Sequence, residues 1–285
     1  MKKIKVFIVI LISITTLTYS FKDNNNNMKI TAKEILGNKD YPAISYGGYR
    51  KISRDLQPTI DEIKEDLKIL SAVGYRVLRT YNVHFEHASN VLKAIKELKN
   101  ENESFEMYLM LGIWIDCKDA WTANPNHSEE DLKKNTLEIN EAVRLANEYP
   151  EIIKILAVGN EAMVHWATSY FVEPKVILKW VKHLQELKKN GKLDKDLWIT
   201  SSDNFASWGG GDKAYHKKEL NELIKIVDYV SVHTYPFHDT YYNPSFWTGV
   251  QVNEESSNDE RIKDAMIRSS NYAISQFQSV KNYIK

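Results

Sequence analysis

Glu161 is the residue of this chain whose neighbours best suit it to acid–base chemistry. It closes the run Ile155 to Ala162, Ile-Leu-Ala-Val-Gly-Asn-Glu-Ala, where a continuous apolar stretch meets an amide and a carboxylic acid. Such an unbroken apolar run is how a parallel strand covered on both faces reads. In β/α barrels the C-terminal strand ends carry the catalytic groups. A carboxyl shielded from water at such a point holds its proton to higher pH and can pass it to a leaving group. Two plainer readings stand beside this one. Glu161 could serve an ion pair at a strand end, and Asn160 could cap a following helix. His84, His87, His165 and His233 lack a tight ligand pattern, so neither a metal nor any other cofactor is expected.

The elements that would position Glu161 alternate regularly. Short apolar runs at 43–49, 76–81, 107–115, 152–158, 197–202 and 227–234 read as strands. Amphipathic stretches at 59–73, 88–99, 129–148, 174–190, 217–226 and 259–285 read as helices. Thr59 followed by Glu62 has the form of a capping box, and Gly74 and Gly191 are natural helix stops. This β-α order calls for a parallel sheet, either doubly wound or closed as a barrel. Polar and aromatic residues follow every strand: Tyr46–Arg50, Thr80–Asn82, Trp114–Asp116, Asn160–Glu161, Ser202–Asn204 and His233–Pro236. A doubly wound sheet would concentrate function at one switch point. Contributions from every strand instead indicate a (β/α)8 TIM barrel, of which about six β/α units are present.

Composition narrows the partners. Acidic and basic residues balance at 38 each, with no basic stripe, so a nucleic-acid partner is not expected. The 7 Trp and 16 Tyr are either core filler or platforms for the apolar faces of sugar rings. Trp208, in Ser207-Trp208-Gly209-Gly210-Gly211, sits in a loop where a core tryptophan would be odd and is expected to stack on a sugar. Tyr241, Tyr242 and Trp247 are expected to line the same groove. Trp114 and Trp166 admit either reading, whereas Trp180, at helical spacing with Val176 and Leu184, is core. Residues 1–20, with Lys2, Lys3 and Lys5 before an apolar run, have the form of an export signal, and 21–32 reads as a polar spacer. The chain is therefore expected to be exported to the periplasm, the cell surface or the medium. Membrane contact would come only through an uncleaved signal. Cys117 is the sole cysteine, which excludes an internal disulfide.

Ile44-Ser45-Tyr46-Gly47, Leu78-Arg79-Thr80-Tyr81-Asn82, Leu111-Gly112-Ile113-Trp114, Val158-Gly159-Asn160-Glu161 and Tyr235-Pro236-Phe237 stand in an order and spacing that resembles glycoside hydrolase family 17, the β-1,3-glucanases, in its bacterial form. The resemblance runs from about Lys33 to the end. It implies a retaining hydrolase of β-1,3-glucan, endo-1,3-β-glucanase or laminarinase-like, with glucanosyl transfer as a variant outcome. Glu161 matches the acid/base, Asn160 the amide that binds the sugar 2-hydroxyl, and Tyr235 a tyrosine beside the nucleophile. Tyr46, Tyr81, Trp114 and Trp208 are the expected substrate contacts. Two other readings remain: a barrel hydrolase cleaving β-1,4-linked glycans, and a non-catalytic, degenerate glycan-binding barrel.

Retention needs a second carboxylate about 5–5.5 Å from the acid. In the family it is a Glu ending the seventh strand, in a motif resembling Glu-Thr-Gly-Trp, which this sequence does not contain. Residues 33–285 are therefore expected to be a barrel cut before its seventh strand, with no nucleophile in this chain and the strand-end candidates Asp116, Asp203 and Asp239 farther away or directed elsewhere. Such a piece is expected to show six strands in an open arc and no turnover of its own.

Overall fold

The computed structural model describes residues 30–248 and 256–285. Residues 1–20, read above as an export signal, most of the expected spacer, Glu254 and Glu255 lie outside them. The apolar runs become strands β1 (Ala43–Ser45), β2 (Val77–Arg79), β3 (Tyr108–Ile113), β6 (Ile153–Asn160), β7 (Trp198–Asn204) and β8 (Ser231–His233). They form one parallel sheet in the order β1-β2-β3-β6-β7-β8. This is a half-barrel with helices packed around it, and β1 and β8 do not pair with each other, as expected of an incomplete barrel.

The helices are α1 (Ala32–Ile35), α2 (Ile60–Ala72), α3 (Glu86–Glu101), α4 (Leu132–Glu148), α5 (Pro174–Lys189), α6 (Lys218–Ile226), α7 (Pro236–Thr240), α8 (Pro244–Thr248) and α9 (Asn258–Ile284). The expected capping box of α2 is formed in both directions: the Thr59 amide donates to Glu62 Oε2 at 2.8 Å, and the Glu62 amide donates to Thr59 Oγ1 at 3.2 Å. Side chains alternate across the strands. Leu109, Leu111, Ile113, Leu156 and Val158 point outward into the main core beneath the helices. Met110, Ile155 and Ala157 point to the other face, where Ala32 of α1 packs on them. The fold thus includes residues assigned above to the spacer.

Helices α1, α7 and α8 were not foreseen, and one further segment differs from expectation. The segment 126–130 is a strand, β5 (Asn126–Glu130), paired antiparallel with β4 (Cys117–Lys118), so α4 starts at Leu132 rather than near 129. Glu130 explains the arrangement. Its carboxylate receives the indole N–H of Trp180 at 2.6 Å and the ammonium of Lys179, tying the hairpin to α5. Trp180 is buried in the core, as its spacing indicated.

Candidate active site

The end of β6 is built to turn side chains. Its pairing with β7 shifts register between Ala157 and Asn160, and Gly159 has φ +84°. A bulge of this kind re-aims the residues that follow it. A Cβ at Gly159 would lie 2.8 Å from Ala162 Cβ and 3.1 Å from Ile177 Cδ1, so only glycine fits. Two residues later Glu161 also adopts a left-handed backbone, φ +48°, with its amide donating to Ser202 O at 2.9 Å. Left-handed non-glycine residues cost about 1 kcal/mol or more and gather at functional sites.

The carboxylate produced this way is little exposed and has a single side-chain partner among the described residues. Glu161 Oε1 lies 3.0 Å from His233 Nδ1, at the end of β8. His233 Nε2 lies 2.7 Å from Ser202 Oγ, itself 3.1 Å from Ser231 Oγ. In this chain the Nδ1–H of His233 can donate to Glu161 while Nε2 shares a hydrogen bond with the serine hydroxyl. Oε2 of Glu161 carries no hydrogen bond among the described residues and is left to the cleft.

Asn160 is oriented by charge. The Arg79 guanidinium, which can only donate, bonds to Asn160 Oδ1, so the amide NH2 must face away from it, toward the cleft. Arg79 also lies 5.0 Å above the ring of Tyr81. A cleft of about 1580 Å³ runs past these groups, with Asn160, Glu161, Tyr81, Trp114 and Tyr235 all on its wall. The Tyr235 hydroxyl sits 3.4 Å from His233 Nδ1; burial and the Glu161 charge raise its pKa.

Two expected contacts need correction. Tyr46 is buried, its hydroxyl donating to Asp66 Oδ2 at 2.9 Å and its ring packed on His87, because the chain at Gly47 and Gly48 folds over it. The neighbouring Tyr49 reaches the cleft instead. Trp208 is also fully buried, its indole N–H donating to Ser231 O at 3.0 Å, because α9 closes over its loop with Val280 and Tyr283. Neither can stack on a ligand. Tyr241 and Tyr242 are exposed, Trp247 is stacked on Phe237, and none of the three is on the cleft wall.

The strand-end acids are all engaged in hydrogen bonds, with Asp116 on the wall of the same cleft as Glu161. Asp203 is wholly buried and accepts from the Met163 amide at 2.7 Å and the Asn204 amide at 2.8 Å. Burial pushes its carboxyl up to about 7, against those two hydrogen bonds and with a further push from the Glu161 charge. Asp239 accepts from Gln276 Nε2 at 3.0 Å. Asp116 accepts two indole N–H groups, from Trp114 at 2.8 Å and Trp121 at 3.2 Å.

Sequence reasoning missed three groups. His233 was weighed only as a metal ligand, yet it meets Glu161 across 72 positions of sequence. Arg79 stood inside a quoted motif without a role. Glu138 of α4 is buried and accepts the amides of Val83, His84 and Trp114 at 3.1, 2.9 and 3.0 Å, fixing the floor of the cleft. An acid on the buried stripe of α4 was the available signal.

With this geometry in hand, comparison with known proteins is decisive. Residues 43–269 match the BtgE/BtgC glycoside hydrolase domain. The chain belongs to that family. A crystal structure of an endo-laminarinase from Formosa Hel1_33_131 is 64% identical to this BtgE/BtgC-type domain, with a TM-score of 0.86 over 90% of this chain and 65% of that one. The chain thus spans less than two thirds of that structure's length. CJP38, a β-1,3-glucanase and allergen of Cryptomeria japonica pollen, covers 76% of this chain and 66% of its own at 15% identity and a TM-score of 0.41, too loose a likeness to bear on fold or function. No curated protein matches.

Proposed function

We propose that this protein is a retaining hydrolase of β-1,3-glucan, laminarinase-like, and that it falls within glycoside hydrolase family 17. The observation that carries the reading is Glu161, aimed into the cleft by a bulged strand end, with Oε1 held by His233 and Oε2 open. The 64% identical endo-laminarinase supports the substrate. In this role Glu161 protonates the glycosidic oxygen through Oε2 as that C–O bond breaks and a second carboxylate, the nucleophile that retention requires, bonds to the anomeric carbon. Glu161 then takes a proton from the water that releases the sugar. The Asn160 NH2 donates to the hydroxyl next to the anomeric carbon, a bond that strengthens as that carbon gains positive charge. His233 holds the acid's orientation, and Tyr235 borders the same position.

The test is Glu161→Gln in the enzyme as expressed from its gene. Hydrolysis of laminarin is expected to fall by roughly 10²–10⁴-fold. An aryl glucoside with an activated leaving group needs little protonation and should lose less. Azide should then restore turnover and give a glycosyl azide of retained configuration. Near-normal laminarin hydrolysis by the variant would remove Glu161 from the role. Comparing laminarin with lichenan and carboxymethyl cellulose tests the linkage. We also propose export, on the basic and apolar pattern of residues 1–20, which N-terminal sequencing of the extracellular or periplasmic protein would check.

A further inference from the structure

Glu161 owes its aim to a turn that needs holding, since its backbone is left-handed at φ +48°. Three bonds hold residues 161–163, and two of them run from backbone to backbone. The Glu161 amide donates to Ser202 O at 2.9 Å, and the Val172 amide donates to Ala162 O at 2.7 Å. The third differs in kind: the Met163 amide donates to the side chain of Asp203, at Oδ2, over 2.7 Å. The other carboxyl oxygen, Oδ1, accepts the amide of Asn204 on its own strand at 2.8 Å. One acid on β7 therefore ties that strand to the turn that carries Glu161.

The neighbouring Ser202 acts on the same turn. Its carbonyl takes the Glu161 amide, and its hydroxyl lies 2.7 Å from Nε2 of His233, the ring that holds Oε1. Ser202 and Asp203 together thus fix the acid's own amide, its side-chain partner and the amide two residues on.

A purely structural account leaves the residue type at 203 unexplained. Asp203 is wholly buried, a costly place for a carboxyl. An asparagine has nearly the same shape and no charge. It carries only one acceptor oxygen, however, and its NH2 would face whichever amide donor that oxygen left. A carboxyl offers an acceptor to both Met163 and Asn204. Ser207 Oγ, also buried and without a hydrogen-bond partner of its own, stands beside the carboxyl and can bond its protonated form. The Glu161 charge reaches this site and adds to the rise in the Asp203 pKa, so the two acids are near neighbours.

We infer that Asp203 is a positioning residue for the acid: by fixing the Met163 amide it sets the 161–163 turn, and with it the direction in which Glu161 Oε2 meets the glycosidic oxygen. Asp203 touches neither substrate nor the reacting atoms, so its effect passes through Glu161. Removing it should loosen proton delivery while leaving in place the cleft wall that receives the glycan. A displacement of about 1 Å at a catalytic group can cost on the order of a hundredfold in rate. The inference rests on the acid role given to Glu161 above, and its test separates the two.

The test is a double-mutant cycle of Asp203→Asn and Glu161→Gln in the enzyme as expressed from its gene. Asp203→Asn is expected to lower kcat on laminarin about tenfold or more, with KM within about twofold. An aryl glucoside with an activated leaving group needs little protonation, and its kcat/KM, which reports the first step, should fall less than about threefold. In the Glu161→Gln background the same change should cost less than about twofold, because the group it positions is gone. Equal losses in both backgrounds, or equal losses on laminarin and the aryl glucoside, overturn the inference and leave Glu161 in its role. Full laminarin turnover by Glu161→Gln overturns the acid role and this inference with it. Hydrogen exchange in the unaltered protein reads the same bond without any substitution, so misfolding of the variant does not stall the test. The Met163 amide should exchange at least about a hundredfold more slowly than that of the exposed Thr168 in the same loop. Exchange at the Thr168 rate overturns the inference.

Discussion

Two tryptophans on rim loops, Trp208 and Trp121, take opposite fates. Trp208 sits between a serine and three glycines, and it is fully buried with its indole N–H on a strand carbonyl. Trp121 lies in a polar turn between Ala120 and Thr122, and it stands mostly exposed with its N–H on a buried carboxylate. The indole satisfies its donor in both places; what differs is whether a later element covers the face. The C-terminal helix α9 reaches back over Trp208, whereas Trp121 packs on Trp114 and Tyr170 and stays 60% exposed. Glycine in the first loop is there to let a helix approach, not to let a ring swing free.

The largest expected effect follows from that burial. Trp208→Ala should destabilise the fold by about 3–5 kcal/mol, read from denaturant unfolding, because it removes a large side chain from a closed core and orphans Ser231 O. A loss below about 1 kcal/mol would break the contrast between the loops. Next comes Gly209→Ala. The position has φ +85°, and an added Cβ would lie 2.1 Å from Tyr283 Cδ1. A loss of roughly 1–3 kcal/mol is expected, together with faster proteolysis of α9.

Asp203, five residues before Trp208, gives the loop a pH signature. Its ordinary value of 3.8 rises to about 7 in the fold, so the folded state holds a proton that the unfolded chain releases. Stability from this site is therefore complete below about 4 and declines as pH rises to about 7, then stays level. Melting curves should show this slope, up to about 1.4 kcal/mol per pH unit, in the unaltered chain. Asp203→Asn should flatten it, and an unchanged slope would exclude Asp203 as its source. The smallest effect belongs to the other tryptophan: Trp121→Ala should cost less than about 1 kcal/mol of stability, read from the same denaturant unfolding.

The contrast also marks what could be read in advance. All six sheet strands were legible because each is an apolar run closed by polar residues, and the six longer helices followed from amphipathic spacing with capping and glycine signals, whereas the short α1, α7 and α8 did not. The β4–β5 hairpin was not, since Asn126–Glu130 is polar throughout and its pairing depends on Trp180 and Lys179 of α5. Asn160, Glu161, Tyr81, Trp114 and Tyr235 converge on one cleft as their strand-end positions implied. Tyr46 and Trp208 did not, because their covers, Asp66 and His87 for one and α9 for the other, come from distant sequence. His233 escaped for the same reason: its pairing with Glu161 exists only in space.

The left-handed backbone at Glu161 carries one more consequence. A glycine there would relax the main chain and also delete the acid, so Glu161→Gly should melt no lower than the unaltered protein while losing its chemistry. Stability and activity pull in opposite directions at this single codon. Under selection for folding alone the residue would drift toward glycine, and only selection for the carboxylate holds it in place.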